Sequence, residues 1–328
     1  MRILVIFTGG TIGSSVQGGW ISPDDVSQSK LINLYHQKMG DTGVQFSTLA
    51  PYTILSENLS ANELNLLVDY LSKEAEKGYD GIIVTHGTDT LQYTAATLGY
   101  TLGDRLPILL VSADYPLEDS RSNGLDNFLA AVHFLQARPQ GGVYVSYKNV
   151  GADRTDIHLA TRLLAHAETC ADLFSLGGPF ASVDNQTGAV VYAPAISLSG
   201  GKGLGQASLC AKPSILVLES RPETLYPDNL DGYQAVILAP YHSGTLNTAS
   251  QDFQAFCKKA KQKGVPVFLV NANNGVTYDS LQSLQELGVI RLPLCAKIAI
   301  FVKCWLALSL KKEVKDFVLT PLSNEFLD

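Results

Sequence analysis

Short apolar runs alternate with helical patterns through the first 150 residues, and this alternation constrains the fold more than any other feature. Arg2–Phe7, Gly81–Val84 and Pro107–Ser112 have the length and composition of strands buried on both faces of a parallel sheet. Between the first two runs, Ser60 and Glu63 form a capping-box pattern that opens an amphipathic helix. Such alternation predicts a mostly parallel sheet with right-handed crossover connections.

The length and the distribution of glycine predict two domains. A chain of 328 residues is long enough for two domains, each with its own core. Glycines concentrate in residues 184–212, which we interpret as a linker. A hairpin formed by part of this stretch is the alternative. We therefore expect an α/β protein with a larger N-terminal catalytic domain (1–183) and a smaller C-terminal α/β domain (213–328). Three further strand-like runs support the second domain: Ser214–Glu219, Ala235–Pro240 and Val265–Asn271.

Composition excludes several classes of protein. Hydrophobic residues make up 46% and charged residues 17% of the chain, which is ordinary globular composition and excludes disordered and collagen-like proteins. The 24 basic residues are outnumbered by 31 acidic ones, giving a net charge of −7. A nucleic-acid binder needs a basic face to neutralise phosphates, so we expect no nucleic-acid partner.

The cysteines and the apolar segments indicate where in the cell the protein is located. The five cysteines are odd in number, are far apart and form no Cys-x-x-Cys pair, which favours free thiols over a disulfide framework or a zinc site. Gly9-Gly10 interrupts the first apolar run, which does not fit a signal peptide. The apolar stretch Leu294–Leu310 contains Lys297 and Lys303 and is shorter than a membrane span, so it predicts a buried helix. We expect a cytoplasmic protein with no membrane partner.

Two polar turns that follow apolar strands are the candidates for chemistry, because ligands of parallel sheets bind at the carboxyl ends of the strands. The first is Thr8-Gly9-Gly10-Thr11-Ile12-Gly13, in which paired glycines permit close backbone approach and Thr11 presents a candidate nucleophilic hydroxyl. It lacks the Gly-x-Gly-x-x-Gly and Gly-Lys-Ser/Thr patterns of phosphate-binding loops. A plain strand-exit turn is the alternative. The following stretch, Ser14–Asp25, is low in hydrophobicity and predicts a loop that could move.

The second turn is Thr85-His86-Gly87-Thr88-Asp89-Thr90, which combines four hydroxyl side chains or carboxylates with a histidine. A structural alternative exists here also, since Thr88 or Asp89 could cap the helix that follows. His86 lies between small residues, and we interpret it as a structural histidine and not a general base.

Together, the two turns resemble the two signatures of the bacterial asparaginase family, and most closely those of its type I, cytoplasmic branch. Ser56-Glu57 is similar to the segment that contains the family's substrate-binding serine. The stretch from Tyr115 to Gly124 resembles the segment after the next strand, and Tyr241-His242-Ser243-Gly244-Thr245 resembles the second-domain loop near the active site. The similarity covers most of the chain and also implies a two-domain α/β fold.

This resemblance implies an L-asparaginase, which hydrolyses L-asparagine to L-aspartate and ammonia in two steps. It implies Thr11, Thr88 and Asp89 as catalytic residues, with the Asp89 carboxylate binding the substrate's α-amino group. The residues implied for substrate binding are Ser56, Glu57, Gly10 and Gly87. No cofactor or metal is needed, glutamine is a possible second substrate, and family members assemble as homodimers or homotetramers.

The sequence departs from the family pattern at two positions. Trp20 occupies the place of a tyrosine on the family's mobile loop, and an indole N–H can donate a hydrogen bond but cannot act as a base. The position of the family's lysine is occupied by Asp156, or by Ile157 if the alignment is shifted by one residue, and neither side chain is a cation. Lys148 and Arg154 are the candidate cations nearby in the sequence. These departures leave two alternatives open: an amino-acid binding module that has lost turnover, and an amide-transferring subunit that acts on a charged tRNA.

Overall fold

The computed structural model describes residues 1–17, 20–23, 25–167, 170–194, 198, 201, 203–205, 208–271 and 278–327. The chain divides into two compact units, Met1–Ala207 and Ser208–Asp328. Each unit is an α/β structure with its own core, as the strand–helix alternation predicts.

The described part of the first unit contains ten strands and four α-helices. Its strands are β1 (Arg2–Phe7), β2 (Ser14–Gln17), β3 (Trp20–Pro23), β4 (Gln45–Leu49), β5 (Gly81–Thr85), β6 (Pro107–Val111), β7 (Gly142–Tyr147), β8 (Arg154–Leu159), β9 (Ala181–Asp184) and β10 (Val190–Tyr192). Its helices are α1 (Asp25–Met39), α2 (Ala61–Glu74), α3 (Leu91–Leu102) and α4 (Gly124–Gln136).

Eight of these strands form one sheet in the order β10-β9-β8-β7-β6-β5-β1-β4. Five adjacent strands of this sheet are parallel: β7, β6, β5, β1 and β4. Strands β8, β9 and β10 extend the sheet beyond β7 with antiparallel pairs. The chain leaves β1 for β4 on one side and then crosses to β5 on the other side of β1. The topological switch therefore lies between β1 and β5, where ligands of such sheets bind.

Alternate residues of each strand face opposite layers of helix. Ile3, Val5 and Ile83 pack in the core with α1 and α4, whereas Leu4 and Ile6 pack in the core with α2 and α3. Both faces of the central strands are covered, which explains why these strands read as continuous apolar runs.

The second unit has a smaller parallel sheet in the order β11-β12-β13-β14, with helices on both faces. Its strands are β11 (Ile215–Glu219), β12 (Ala235–Ala239), β13 (Val267–Leu269), β14 (Val289–Arg291), β15 (Leu294–Cys295) and β16 (Phe326–Leu327). Its helices are α5 (Gln251–Lys263), α6 (Ser283–Glu286), α7 (Lys297–Ser309) and α8 (Val314–Leu319).

Several local predictions can be compared directly with these elements. The apolar stretch Leu294–Leu310 contains the largely buried helix α7, and none of the described helices is long and apolar enough to cross a membrane. The prediction of a loop over Ser14–Asp25 is wrong, because β2 and β3 pair as an antiparallel hairpin there. Gly18 and Gly19 lie outside the described residues.

The predicted linker, residues 184–212, includes the turn between β9 and β10 and the position in the sequence at which the first compact unit ends and the second begins. Strand β10 pairs with β9 at the edge of the first sheet, which accounts for a hairpin within this stretch. Residues 195–197, 199, 200, 202, 206 and 207 of the stretch are not among those described. The two domain ranges and the range of the linker between them stay a prediction.

Candidate functional site

The two polar turns meet at the topological switch between β1 and β5. Phe7 pairs with Thr85 at the ends of these strands, so the turns begin at the same level of the sheet. A Cβ atom on Gly10 would lie 2.3 Å from the backbone nitrogen of Gly87, which means that the two backbones are in direct contact. Gly10 also has a φ of +77°, a conformation that favours glycine.

A third segment, residues 54–58, closes the site from the side of β4. The backbone of Ile54 accepts a hydrogen bond from Gly10 N (3.2 Å) and donates one to Thr8 O (3.1 Å). Two residues later, the buried Ser56 lies against the second turn, since a Cβ on Gly87 would come within 2.4 Å of Ser56 Oγ. Gly10, Gly87 and Ser56, which the sequence predicted as substrate-binding residues, therefore form one contiguous group.

Thr11 follows Gly10 directly and begins a short 3-10 helix, Thr11–Gly13. This helix is closed by a hydrogen bond from Gly13 N to Gly10 O (3.0 Å), and strand β3 packs against it. The Thr11 side chain is half-buried at the end of β1. The side chain of Trp20, on β3, is outside what the structure describes.

The second turn presents Thr88 and Asp89. Thr88 is half-buried and Asp89 is exposed. The alternative that one of them caps the next helix is wrong, because the N-cap of α3 is Thr90. The Thr90 hydroxyl donates to the backbone carbonyl of Ser56 (2.9 Å) and so ties the second turn to the third segment. Glu57 lies in the 3-10 helix Ser56–Asn58 and is exposed.

His86 has a structural role in this turn. Its Nδ1 lies 2.8 Å from Gly87 O, and its Nε2 lies 2.8 Å from the Thr94 hydroxyl. Because a carbonyl oxygen can only accept, the proton is on Nδ1 and Nε2 accepts from Thr94. Burial lowers the pKa of His86 to about 4, so the ring is neutral at pH 7. Both nitrogens are occupied, which leaves the ring to hold the Gly87 peptide in place.

The candidate cations proposed for the site are engaged with other groups. Lys148 Nζ donates to Asp126 Oδ2 (2.7 Å), a carboxylate on α4. Arg154 Nε donates to Ser182 Oγ (3.0 Å), and its Nη1 lies 3.7 Å from Asp184.

Asp156 does not supply a cation in the place of the family's lysine. In the register of β7 and β8, it lies opposite Tyr147. Burial raises the pKa of the Asp156 carboxyl, while the charge of Arg154 opposes that shift.

Two other segments that resemble the family form ordered turns. After β6, Asn123 exchanges hydrogen bonds of 3.0 Å with Asp114, and its Nδ2 donates to Lys148 O (2.9 Å). In the second unit, Tyr241–Thr245 folds into a tight turn through hydrogen bonds between Tyr241 and Thr245 (3.0 Å) and between Gly244 and Tyr241 (2.8 Å). A contribution of Tyr241–Thr245 to the site stays a prediction.

One residue at the carboxyl end of β7 was missed by the sequence analysis. His166 lies in the connection between β8 and β9, and its ring meets the Tyr147 ring edge-on, with centroids 5.5 Å apart. It belongs to no motif, and the only signal in the sequence is a histidine after a strand of the same sheet. Among the described residues, no group of three or more His, Cys, Asp or Glu side chains could hold a metal ion.

The group at the switch point can support acyl transfer from an amide. Three hydroxyls (Thr11, Ser56 and Thr88) and one carboxylate (Asp89) lie on segments whose backbones are in contact. Backbone N–H groups in such turns can donate to the oxyanion that forms when a nucleophile attacks a carbonyl. A threonine hydroxyl is the candidate nucleophile of this set, provided that a neighbouring group accepts its proton.

Comparisons with known proteins identify similar folds. The structure is similar to "The thermostable L-asparaginase from Thermococcus kodakarensis", with a TM-score of 0.81 and 21% identity over 100% of both chains. It is also similar to an L-asparaginase I from Vibrio cholerae, with a TM-score of 0.78 and 22% identity over 100% of this chain and 99% of that one. At these identities, the similarity establishes the fold.

Sequence comparison adds relatives with a different name. The chain is 28% identical to a glutamyl-tRNA(Gln) amidotransferase subunit from Metallosphaera sedula over 351 residues, which cover 99% of this chain and 76% of that protein. The sequence model of a family described as "Asparaginase, N-terminal" matches residues 2–195, which include both turns and Ser56. The chain therefore belongs to the asparaginase family.

Proposed function

We propose that this protein is an L-asparaginase, which hydrolyses L-asparagine to L-aspartate and ammonia with Thr11 as the nucleophile. The family supports an amidohydrolase. The observation that supports the proposal is the contact of Gly10 with Gly87 and of Gly87 with Ser56, because these contacts join the three segments that contain the hydroxyls and Asp89.

In the proposed reaction, Thr11 Oγ attacks the carbonyl carbon of the side-chain amide and its proton passes to a neighbouring acceptor. The carbonyl oxygen becomes an oxyanion, for which N–H groups of the two turns are the available donors. As this intermediate collapses, the amide nitrogen takes the proton from that acceptor, the carbon–nitrogen bond breaks, ammonia leaves and an ester remains on Thr11. Water, activated in the second turn beside Thr88, then hydrolyses the ester to L-aspartate, and Thr11 Oγ regains a proton. Asp89 holds the substrate's ammonium group throughout.

The test is ammonia release from L-asparagine by the full chain. We expect Thr11→Ala to lower kcat by at least about 1,000-fold, because the covalent route is lost, and Thr88→Ala to lower it strongly too. Thr187→Ala is the matched control, since that exposed hydroxyl lies in the turn beside β10, at the edge of the sheet far from β1 and β5. Ammonia release that survives Thr11→Ala would refute the assignment of the nucleophile.

The same assay separates an enzyme from a binding module. Trp20 and Asp156, which replace the family's tyrosine and lysine, favour weaker activation of the nucleophile. Tight binding of L-asparagine or L-aspartate by the wild-type chain without ammonia release would establish a module that has kept the site and lost turnover.

The relatives named as amidotransferase subunits support a second candidate function, the supply of an amide group within a complex that acts on a charged tRNA. The net charge of −7 weighs against direct contact with tRNA. A gel-shift assay with tRNA tests this second candidate, because a shift would show a contact with tRNA that an independent asparaginase does not make.

The proposal extends to assembly and location. We expect a homodimer or homotetramer in the cytoplasm, as for the type I branch of the family, with a small-molecule substrate and no cofactor. Sedimentation equilibrium of the purified chain measures the assembly, and a mass of one subunit (35.3 kDa) at micromolar concentration would contradict it.

A further inference from the structure

The peptide bond between Gly87 and Thr88 lies at the centre of the second turn, and its carbonyl oxygen is held from the buried side. Gly87 O lies 2.8 Å from Nδ1 of His86, whose ring is buried. The peptide bond is trans, so the carbonyl and the N–H of this peptide point in opposite directions. The Thr88 N–H therefore points away from the His86 ring.

The Thr88 N–H is available to a ligand. Within the described part of the chain, no group accepts a hydrogen bond from Thr88 N. A backbone donor without a partner is unfavourable when it is removed from water, so an acceptor supplied by a ligand is favoured there. The preceding residue, Gly87, contacts the backbone of Gly10, which lies next to Thr11. The Thr88 N–H is thus among the donors available to the carbonyl oxygen of an amide that Thr11 attacks.

The ring of His86 is in turn anchored by α3 and by the sheet. Its Nε2 lies 2.8 Å from the hydroxyl of Thr94, a fully buried residue in the first turn of α3. The backbone nitrogen of His86 donates to Val111 O on β6 (2.9 Å). Since Nδ1 carries the proton for the Gly87 carbonyl, Nε2 must accept, and the Thr94 hydroxyl is its donor. A chain of two hydrogen bonds therefore leads from α3 to the peptide between Gly87 and Thr88.

We propose that Thr94 is a positioning residue, which acts through the His86 ring to direct the Thr88 N–H at the carbonyl oxygen of the substrate's amide. This inference rests on the proposed function and makes it more specific, because it names the donor whose direction is controlled and the side chains that control it. In this role, neither Thr94 nor His86 contacts the substrate. Thr94 lies four residues beyond the second turn, in a helix that the sequence analysis did not connect with the chemistry.

This role determines which kinetic constant depends on Thr94. Without the Thr94 hydroxyl, His86 Nε2 becomes a buried acceptor with no partner, which is unfavourable and lets the ring turn towards another donor. The Gly87 carbonyl then loses its donor, and the Thr88 N–H loses its fixed direction. A donor to an oxyanion contributes more as negative charge develops than it does in the bound amide. Its misplacement therefore lowers kcat more than it raises KM.

The test is the rate of ammonia release from L-asparagine by the full chain and its variants. We expect Thr94→Val, which keeps the shape of the side chain and removes the hydroxyl, to lower kcat about tenfold and to change KM by less than about twofold. Thr94→Ser keeps the hydroxyl and should retain most of the wild-type kcat. Thr97→Val is the matched control and should keep the wild-type kcat, since the buried Thr97 hydroxyl donates to Tyr93 O (2.8 Å) within the same helix.

A double variant tests whether Thr94 acts through His86. His86→Phe removes both hydrogen bonds of the ring and should lower kcat about as much as Thr94→Val does. If the two residues form one chain, adding Thr94→Val to His86→Phe has no further effect. An unchanged kcat in Thr94→Val, losses that multiply in the double variant, or an equal loss in Thr97→Val would overturn the inference. If His86→Phe does not fold, the comparison of Thr94→Val with Thr94→Ser and Thr97→Val decides.

The amide signal of Thr88 in ¹H–¹⁵N spectra of the full chain is a second readout, which does not depend on turnover. The ¹⁵N shift of an amide responds to hydrogen bonding at the carbonyl of the same peptide. Thr94→Val should therefore move the Thr88 signal, and Thr97→Val should not. A wild-type chain that releases no ammonia, while its Thr88 signal responds to Thr94→Val, would refute the proposed function and leave the hydrogen-bond chain in place. A Thr88 signal that Thr94→Val leaves unmoved would overturn the inference alone.

Discussion

At the scale of single residues, the candidate site depends on the absence of side chains at two glycines. Gly10 needs both its positive φ and its contact with the peptide at Gly87. Gly87 has no positive φ and needs only the absence of a Cβ atom, since Ser56 occupies the position that this atom would take. The segments that contain the hydroxyl groups of the site are therefore in contact because neither glycine has a side chain.

This arrangement predicts the effect of Gly87→Ala. The new methyl group would lie 2.4 Å from Ser56 Oγ and 2.6 Å from Ser56 Cβ, so the third segment must move away from the second turn. We expect a loss of about 1–3 kcal/mol in the free energy of unfolding, and a decrease in kcat/KM on the order of 100-fold from misplacement of Ser56. Urea denaturation and the ammonia assay measure the two effects.

Gly13→Ala is the matched control for stability, because a Cβ at Gly13 would meet none of the described atoms within 4 Å. If Gly87→Ala is no less stable than Gly13→Ala, the contact between Gly87 and Ser56 is looser than the structure indicates.

How far single residues could be predicted from the sequence depends on whether their partners are local. Thr11, Thr88 and Asp89 were found because each follows an apolar strand in a recognisable turn. The contact of Gly10 with Gly87 could not be found in this way, because it depends on the order of β1 and β5 in the sheet. His166 was missed for the same reason, since its contact with the Tyr147 ring arises from the packing of a connection with no motif against the end of β7.

At the scale of elements, local hydrogen-bond patterns predict helix starts well where a cap is complete. The capping box at Ser60 and Glu63 is confirmed: Ser60 Oγ accepts from Asn62 N, and Ser60 N donates to the Glu63 carboxylate (3.0 Å). The start of α3 was harder to predict, because the Thr90 side chain bonds to Ser56 and not to its own helix. The hairpin of β2 and β3 was read as a loop because its residues lack the apolar alternation that marks a strand.

The capping box predicts the effect of Ser60→Ala. Helix α2 begins five residues after Ser56, so the cap also fixes the end of the third segment. We expect a loss of about 1 kcal/mol in the free energy of unfolding, the usual cost of an N-cap serine. Ser72→Ala, in the same helix, is the matched control, because the buried Ser72 hydroxyl has no hydrogen-bond partner within the described part of the chain.

Both Ser60→Ala and Ser72→Ala are measured by urea denaturation of the full chain. Ala has the higher helix propensity, so Ser72→Ala should be neutral or slightly stabilising. An equal loss of stability in both variants would show that the hydroxyl of Ser60 contributes nothing as a cap.

At the scale of the whole molecule, the sequence predicted two α/β domains from length and from the alternation of strands and helices. Each compact unit has its own sheet, with a hydrophobic core on each face, and this accounts for the repetition of the pattern along the chain. The boundary is less predictable, because glycine-rich sequence occurs both in the hairpin of β9 and β10 and beyond it. Glycine marks where the chain turns, and turns occur within a domain as well as between domains.

The second unit contains a buried ion pair that no sequence pattern indicated. Lys303, in the apolar helix α7, donates to the Glu325 carboxylate, and both side chains are fully buried. The Lys303 ammonium also lies 4.7 Å from the centre of the Phe326 ring. Glu325 further accepts from the backbone of Leu322 (3.0 Å) and Ser323 (2.7 Å). The pair thus fastens the last residues of the chain to α7.

This ion pair predicts a loss of stability that is confined to one unit. Lys303→Met leaves a buried carboxylate without its cation, which costs about 3–5 kcal/mol. The matched control is Lys297→Met in the same helix, since its pair with the exposed Glu219 contributes at most about 1 kcal/mol. Amide hydrogen exchange should show faster exchange in β11–β14 of Lys303→Met, with unchanged protection in β1 and β5. An equal increase of the exchange rate in both units would contradict this prediction. It would mean that the two units unfold together, because loss of the ion pair would then destabilise β1 and β5 as much as β11–β14.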